Sequence, residues 1–254
     1  MKLTRYIIAF LCLTCSSHLM SMQGRDNILL GSYIMNADFK KFKSLFDNQQ
    51  ASVHDIFDGT PILTMALEVY AALKDQTTPA DQELNTIANM IQFLLEQGAP
   101  LKIPDTKGDT ALHVAAHKNL YQFIPLLLDY GAEINTQDKQ GNTSLHRAVK
   151  STLNGVINPD APKVVGILLD HGAHTSLVNN KGLTAYQVAL NVRDAINKSP
   201  RIIFDMADIT QEQALQTVGD VIDIFNTHKL KMGLQKIRER EIEKSSIDMR
   251  FKFQ

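Results

Sequence analysis

The chain has 254 residues, of which 44% are hydrophobic and 21% are charged, and its formal net charge is −1. This composition is typical of a globular protein and excludes a chain that is disordered throughout. The near-zero net charge excludes the basic balance of nucleic-acid-binding domains, so no nucleic-acid partner is predicted. Any preference for a charged partner must come from a local patch.

The first 21 residues have the pattern of a secretory signal peptide. Lys2 and Arg5 give a positive start, residues 6–13 form an apolar run, and small or polar residues follow. This run is much shorter than the roughly 20 residues that cross a bilayer. The pattern predicts a signal peptide at residues 1–21 and export, either to the periplasm or out of the cell. A buried first helix and lipid attachment at Cys15 are the alternatives.

Both cysteines of the chain, Cys12 and Cys15, lie within this N-terminal segment. Its removal would leave a mature protein without cysteine, which excludes disulfide bonds and thiol chemistry. No later stretch is long and apolar enough to span a bilayer, so no transmembrane segment is predicted in the mature chain.

Two segments in the middle of the chain match each other at an offset of 33 residues, from Asp105 to Asp138. The first reads D-T-K-G-D-T-A-L-H-V-A-A and the second D-K-Q-G-N-T-S-L-H-R-A-V. Each is followed by an apolar run and a Gly-Ala pair, at Gly131 and at Gly172. Weaker copies begin near residues 55 and 179 and a degenerate one near 26. Such a period predicts an array of stacked structural units.

Each copy also has the local features of two helices joined by turns. The glycine of Gly-x-Thr suits a tight turn with positive φ, and the threonine suits a helix N-cap. Leu112, Ala115 and Ala116 fall on one helical face. A second helix is predicted over residues 123–129, ended by Gly131. One such unit cannot bury its own apolar face, so several must stack into a solenoid.

These residues resemble the ankyrin repeat, whose pattern D-x-x-G-x-T-P-L-H-x-A-A…L-L-x-x-G-A-x-x-N has the same period. The stretch 105–137 is a near-complete copy. The resemblance implies an all-α solenoid of about five helix-turn-helix units with short β-turn or hairpin connections. The units are predicted at residues 26–54, 55–104, 105–137, 138–178 and 179–228.

The spacing between copies predicts two insertions. The copies begin at 55, 105, 138 and 179, so two spacings exceed the 33-residue period, by 17 and 8 residues. Both insertions, at residues 73–83 and 152–160, fall between the two helices of a unit and should leave the stack at the same edge. They are either tolerated surface loops or a ridge that contacts a partner.

The last unit is predicted to be stretched. Residues 195–209 are predicted to be irregular, with a break at Ser199-Pro200. Thr210 and Gln213 are predicted to form a capping box that opens a helix running to His228.

Residues 229–254 form a charged C-terminal helix or tail, with eight Lys/Arg and four Asp/Glu. Leu230, Leu234 and Ile237 recur at helical spacing. This segment is either solvated or in contact with an anionic surface or partner.

Histidines are the main candidates for chemistry, and none predicts a reaction. His113 and His146 hold the position at which, by the resemblance, a histidine ties neighbouring turns together. His113 and His117 are four residues apart but lack the glutamate of H-E-x-x-H and a third ligand. The mature chain contains no nucleophile elbow, phosphate-binding loop or dinucleotide fingerprint. No metal, cofactor, catalytic residue or enzymatic activity is therefore predicted.

The resemblance implies that the turn tips and exposed positions of the first helices line a concave groove that binds a protein. The predicted contact residues are Lys107, Asp109, His117, Lys118, Lys139, Gln140, Asn142, Lys150 and Lys181. Lysine dominates this set, which predicts a partner with an acidic surface.

These features together predict a monomeric, exported binding protein, similar to ankyrin-repeat proteins that host-associated bacteria export toward host proteins. One alternative is a periplasmic structural or chaperone-like factor that supports the cell's own proteins. The other is an enzyme whose chemistry is not recognised in the sequence.

Overall fold

The computed structural model describes residues 29, 31–57, 59–75, 81–151, 159–198 and 210–252. The predicted signal peptide at residues 1–21 lies outside these ranges. The same is true of residues 76–80 in the first insertion, residues 152–158 in the second, and residues 199–209 of the stretched last unit.

The described chain is a succession of helices with very little sheet. A short helical segment at residues 31–35 comes first. The labelled elements then follow in the order α1 (Phe39–Asp47), β1 (Ile56–Phe57), β2 (Thr60–Pro61), α2 (Ile62–Lys74), α3 (Asp81–Glu96), α4 (Ala111–His117), α5 (Phe123–Asp129), α6 (Ser144–Lys150), α7 (Ala161–Asp170), α8 (Ala185–Lys198) and α9 (Gln211–Lys252). The two strands pair antiparallel, with Ile56 opposite Pro61 and Phe57 opposite Thr60. The predicted all-α class is confirmed.

The helices form pairs that stack along the chain. The first helix of each pair, α2, α4, α6 or α8, packs against the next in a continuous inner row. Each also packs against its own second helix, α3, α5, α7 or α9. The inner row can be tight because Ala115, Ala148 and Ala189 hold equivalent positions after the turn threonine, and all three are fully buried. Their methyl side chains let neighbouring helices approach closely.

The second helices supply further apolar side chains to the core. Ile124 and Leu127 of α5 are fully buried, and Leu128 is half-buried. Val165 and Leu168 hold the corresponding buried positions in α7. Gly131 follows α5 with a φ of +93°, as predicted for the residue that ends this helix. Gly98 and Gly172 follow α3 and α7 in the same left-handed conformation.

Two sequence predictions about the last pair of helices are wrong. Residues 195–198, predicted to be irregular, form the last turn of α8, where Ile196 is buried and its carbonyl accepts a hydrogen bond from Gln211 (3.1 Å). The predicted capping box is present, because Thr210 N–H donates to Gln213 Oε1 (2.8 Å) and Gln213 N–H donates to Thr210 Oγ1 (3.2 Å). The helix it opens does not end at His228, however, and continues to Lys252.

Candidate functional site

Three turns that precede the first helices share one hydrogen-bond pattern. Asp105 Oδ1 accepts the backbone N–H groups of Lys107 and Asp109, each at 2.8 Å. Asp138 and Asn179 accept from the residues two and four places further on in the same way. Each turn is closed by a backbone bond, such as Asp105 N–H to Asp109 O at 2.9 Å. These contacts give the three turn tips, residues 105–110, 138–143 and 179–184, one shape.

Neighbouring tips are in direct contact. Lys139 Nζ donates to the Thr106 carbonyl at 2.7 Å, and Asn180 N–H donates to the Gln140 carbonyl at 2.9 Å. Gly108 and Gly141 make this approach possible. Both have positive φ, and a Cβ atom on Gly141 would lie 2.8 Å from the backbone nitrogen of Asn180. The tips therefore form one stacked edge rather than separate loops.

One histidine in each of the first two tips joins that tip to the next repeat. Thr110 N–H donates to His113 Nδ1 at 3.2 Å, so the ring proton of the neutral imidazole is on Nε2, which donates to the Asn142 carbonyl at 3.1 Å. His146 makes the same bonds to Thr143 N–H (3.2 Å) and to the Leu183 carbonyl (3.0 Å). Burial holds the pKa of both imidazoles below the ordinary value, which favours this neutral form. The predicted role of both histidines is confirmed.

In the third tip a glutamine stands where the other two have histidine. Gln187 Oε1 accepts the Thr184 N–H at 2.9 Å and so keeps the helix cap. Its side chain is exposed, and the described residues supply no further tip beyond it. The glutamine thus stands in the last described tip, where no carbonyl of a following described tip is present to accept the hydrogen bond that a histidine Nε2 would donate.

An arginine that sequence analysis missed lies at the centre of the face formed by the tips and first helices. Arg147 Nη2 is 2.6 Å from Asp109 Oδ1 and 2.7 Å from Asp138 Oδ2, and it donates to Gln140 Oε1 at 3.1 Å. The side chains of this network are mostly buried, with Arg147 only 16% exposed. It follows the motif histidine directly, where the other copy has Val114, and that difference was the signal available in the sequence.

The pKa values of the two carboxylates in this network are shifted in opposite directions. Burial raises the pKa of Asp109, and the nearby Arg147 offsets that rise only in part. Burial also acts to raise the pKa of Asp138, but hydrogen bonds from Asn142 and the charge of Arg147 outweigh it, so the pKa is lowered. Arg147 therefore compensates two buried negative charges that come from neighbouring tips.

The nine predicted contact residues differ widely in exposure. Lys107, Lys118, Lys139, Gln140 and Lys181 are exposed, and His117 and Lys150 are half-buried. The prediction that Asp109 and Asn142 stand at the surface of the tips is wrong, because both side chains are buried. Asp109 is turned toward Arg147, and Asn142 donates to Asp138 and accepts from Lys150 (2.8 Å).

The lysines of this face also separate into two kinds. Lys139 and Lys150 are hydrogen-bonded to the protein, the first to Thr106 and the second to Asn142. Lys107, Lys118 and Lys181 are exposed and make no side-chain hydrogen bond or ion pair to any residue that the structure describes. These three lysines are the positive charges available to a partner.

One acidic residue, also missed from the sequence, lies near two of these lysines. Glu68 of α2 is half-buried, and burial raises its pKa while the charges of Lys107 and Lys118 act to lower it. It holds the position in its own repeat that Lys118 holds in the next, eight residues after the turn threonine. Aligning the degenerate copy at residue 60 with the copy at residue 110 would have found it.

The described ends of the two insertions lie side by side. Lys74, the last residue of α2, places Nζ 3.4 Å from Asp160 Oδ2, just before α7. Lys74 and Lys163 both lie over the ring of Tyr121, at 5.5 and 5.0 Å from its centroid. These contacts connect the second and fourth units across the third, at an edge away from the tips.

The described residues contain neither a cluster of metal ligands nor a membrane-spanning helix. Within that part of the chain, no group of three or more His, Cys, Asp or Glu residues is arranged to hold a metal ion. None of its helices combines the length and the apolar composition needed to cross a bilayer.

Comparison with known proteins identifies the repeat. A family model described as ankyrin repeats (3 copies) matches residues 82–175. This range runs from α3 through α7 and includes the tips at residues 105–110 and 138–143 with both of their histidines. No curated protein matches the sequence of the chain.

Proposed function

Because residues 82–175 make this chain an ankyrin-repeat protein, we propose that it is an exported module that binds a partner protein through its groove face. The groove face is the surface formed by the three tips and by α2, α4, α6 and α8. Ankyrin repeats indicate a protein-interaction module, and such domains are typically non-catalytic. The choice of this face, the monomeric state and the export are parts of the proposal.

The observation that carries the groove proposal is the combination of fixed tips and unpaired lysines. Hydrogen bonds between repeats, from Lys139, Asn180, His113 and His146, hold the tips in position. A preorganised surface loses little conformational entropy on binding. Lys107, Lys118 and Lys181 add positive charge without a side-chain hydrogen bond or ion pair to any of the described residues. The partner that fits this surface is a folded protein or peptide with an acidic patch.

We expect charge reversal of Lys107, Lys118 and Lys181 to glutamate to weaken partner binding by about tenfold or more and to flatten its salt dependence. Lys139 is left unchanged because its bond to Thr106 is part of the fold. The partner is first captured with residues 22–254 and identified by mass spectrometry, and its affinity is then measured by titration at several salt concentrations.

The matched control reverses Lys40, Lys43 and Lys229, which are exposed lysines of α1 and α9 outside the groove face. It changes the net charge by the same amount, so unspecific effects of charge appear in both proteins. Equal affinities and equal salt dependence for the two triple variants would rule out the groove proposal. A partner captured only from a periplasmic extract, and not from host lysate, would instead support a factor that serves the cell's own proteins.

The export part of the proposal rests on the sequence of residues 1–21. We expect the protein recovered from the periplasm or the medium to begin at or shortly before residue 22, because the positive start and apolar run are removed after translocation. Introducing an aspartate at Ile8 should leave the full-length chain in the cytoplasm. The measurement is cell fractionation with intact-mass analysis, with Thr4→Ser as a control that keeps charge and hydropathy. A cytoplasmic chain that retains residues 1–21 in the unmodified protein contradicts export.

A further inference from the structure

The C-terminal part of α9 leaves the repeat stack and exposes an apolar stripe. Residues 211–225 of this helix bury Ala214, Val218, Val221 and Phe225, but every residue from 229 to 240 is exposed. Leu230, Leu234 and Ile237 are 68%, 64% and 53% exposed. At about 100° per residue, these three lie within an arc of roughly 60° on one side of the helix.

Basic residues border this stripe on both sides. The helical positions place Lys231 and Arg238 along one border and Lys229, Lys236 and Arg240 along the other. Glu239 is the one acidic residue between 229 and 240, and it lies on the opposite side of the helix with Gln235, to which it is hydrogen-bonded (3.0 Å). Residues 229–240 therefore carry a formal charge of +4 (five basic, one acidic), although the whole chain has a net charge of −1.

This arrangement argues against pairing of the stripe with the same stripe of a second copy. When two helices pair through apolar stripes, the residues that border one stripe face those that border the other, whether the helices run parallel or antiparallel. Five of the bordering residues are basic, so like charges would oppose one another along the pair. The stripe needs a partner that is apolar at its centre and negative around it.

We propose that residues 229–240 bind an anionic lipid surface, with the helix lying in the plane of the interface. In such helices the apolar face enters the boundary of the acyl chains while lysine and arginine reach the headgroups from both borders. A flat surface covers only one side of the helix and leaves Gln235 and Glu239 in water, as their polar character requires. This inference does not depend on the groove proposal.

The test is flotation of the full chain with two kinds of vesicle, one of phosphatidylcholine alone and one that also contains phosphatidylglycerol. We expect binding only to the anionic vesicles, with a steep loss as salt is raised. Changing Lys229, Lys231 and Lys236 to glutamine should weaken partitioning about a hundredfold, since each basic residue near such a surface contributes about a fivefold effect. The control is the same change at Lys107, Lys118 and Lys181, which should have little effect.

A second pair of variants tests the apolar stripe. Leu234→Ser should reduce partitioning about tenfold. Met232→Ser removes an apolar side chain from the same helix, but from the side away from the stripe, and should leave partitioning nearly unchanged. All substituted residues are exposed, so the fold is retained, which circular dichroism verifies.

Residues 1–28 are present in every variant and contribute equally to each. Equal binding to both kinds of vesicle, or equal binding of the variants and their controls, would overturn the proposal. Absence of vesicle binding at low salt would also overturn it and would favour an acidic protein as the occupant of the stripe.

Discussion

Replacing Arg147 with methionine is expected to lower the free energy of unfolding by roughly 3–5 kcal/mol. Methionine keeps much of the volume of the side chain but removes the charge that compensates Asp109 and Asp138. The two carboxylates come from neighbouring tips, and their side chains are only 11% and 0% exposed. An uncompensated buried charge costs far more than a surface ion pair contributes. The measurement is urea denaturation followed by circular dichroism.

The control for this substitution is Arg193→Met. Arg193 also pairs with an aspartate, Asp194, but both side chains are about half exposed, at 44% and 55%. A pair in this environment contributes between about 0 and 1 kcal/mol, so its loss should be close to neutral. If the two variants were destabilised equally, Arg147 would not hold the tips together in the way proposed here.

The pH dependence of the Arg147→Met variant provides a second measurement. Without the arginine, the folded-state pKa values of both carboxylates should rise, and that of Asp109, which burial already raises, should lie further above its value in the unfolded chain. A group with a raised folded-state pKa binds its proton more readily in the folded protein, and this relative stabilisation grows as the pH falls. The deficit of the variant relative to the unmodified protein should therefore be largest near neutral pH and shrink toward acidic pH.

The parts of this fold that could be predicted from sequence are those that local chemistry determines. A Gly-x-Thr turn, a threonine cap and a histidine three residues later involve atoms within one repeat, and each recurs in phase at Thr110 and Thr143. The role of these histidines also followed from the resemblance. The capped turn and the role of its histidine could be predicted because the same short sequence pattern occurs in two repeats.

The burial of two predicted contact residues, which the sequence did not reveal, depends on neighbouring repeats instead. Asp109 and Asn142 occupy the same position of their turns as Leu183, which is half-buried, so nothing in a single turn predicts that their side chains are buried. Asp109 is covered by Arg147 from the first helix of the next repeat, and Asn142 accepts a hydrogen bond from Asn179 of the repeat that follows its own (3.2 Å). Contacts between repeats are not contained in a repeat pattern, since they depend on what the next copy has at a variable position.

The end of α9 was misjudged for a different reason. The prediction ended this helix at His228 because the buried apolar positions end near there, at Phe225. Residues 229–240 nevertheless contain mostly good helix formers and no proline, with Gly233 as the one weak position. Loss of a buried face changes the surroundings of a helix without terminating it. The stripe exposed by this continuation is the basis of the lipid-binding proposal.

The stacked tips lead to a second large effect, at Gly141. We expect Gly141→Ala to destabilise the protein by about 3–5 kcal/mol, from two separate causes. The residue has a φ of +74°, which an L-residue with a Cβ adopts only at a cost of about 1–2 kcal/mol. The added methyl group would also lie 2.8 Å from the Asn180 nitrogen, so the third tip has to move away from the second.

Gly182→Ala separates these two causes. Gly182 has nearly the same backbone conformation, with a φ of +71°, but a Cβ there meets no heavy atom within 4 Å. This variant should lose only the cost of the strained backbone, about 1–2 kcal/mol. The difference between the two variants then measures the contact between tips. If Gly141→Ala and Gly182→Ala lose the same amount in urea denaturation, close stacking of the tips contributes nothing to stability. A larger loss at Gly141 shows that the edge of the groove face is a packed part of the fold, and that its lysines are presented from a fixed position.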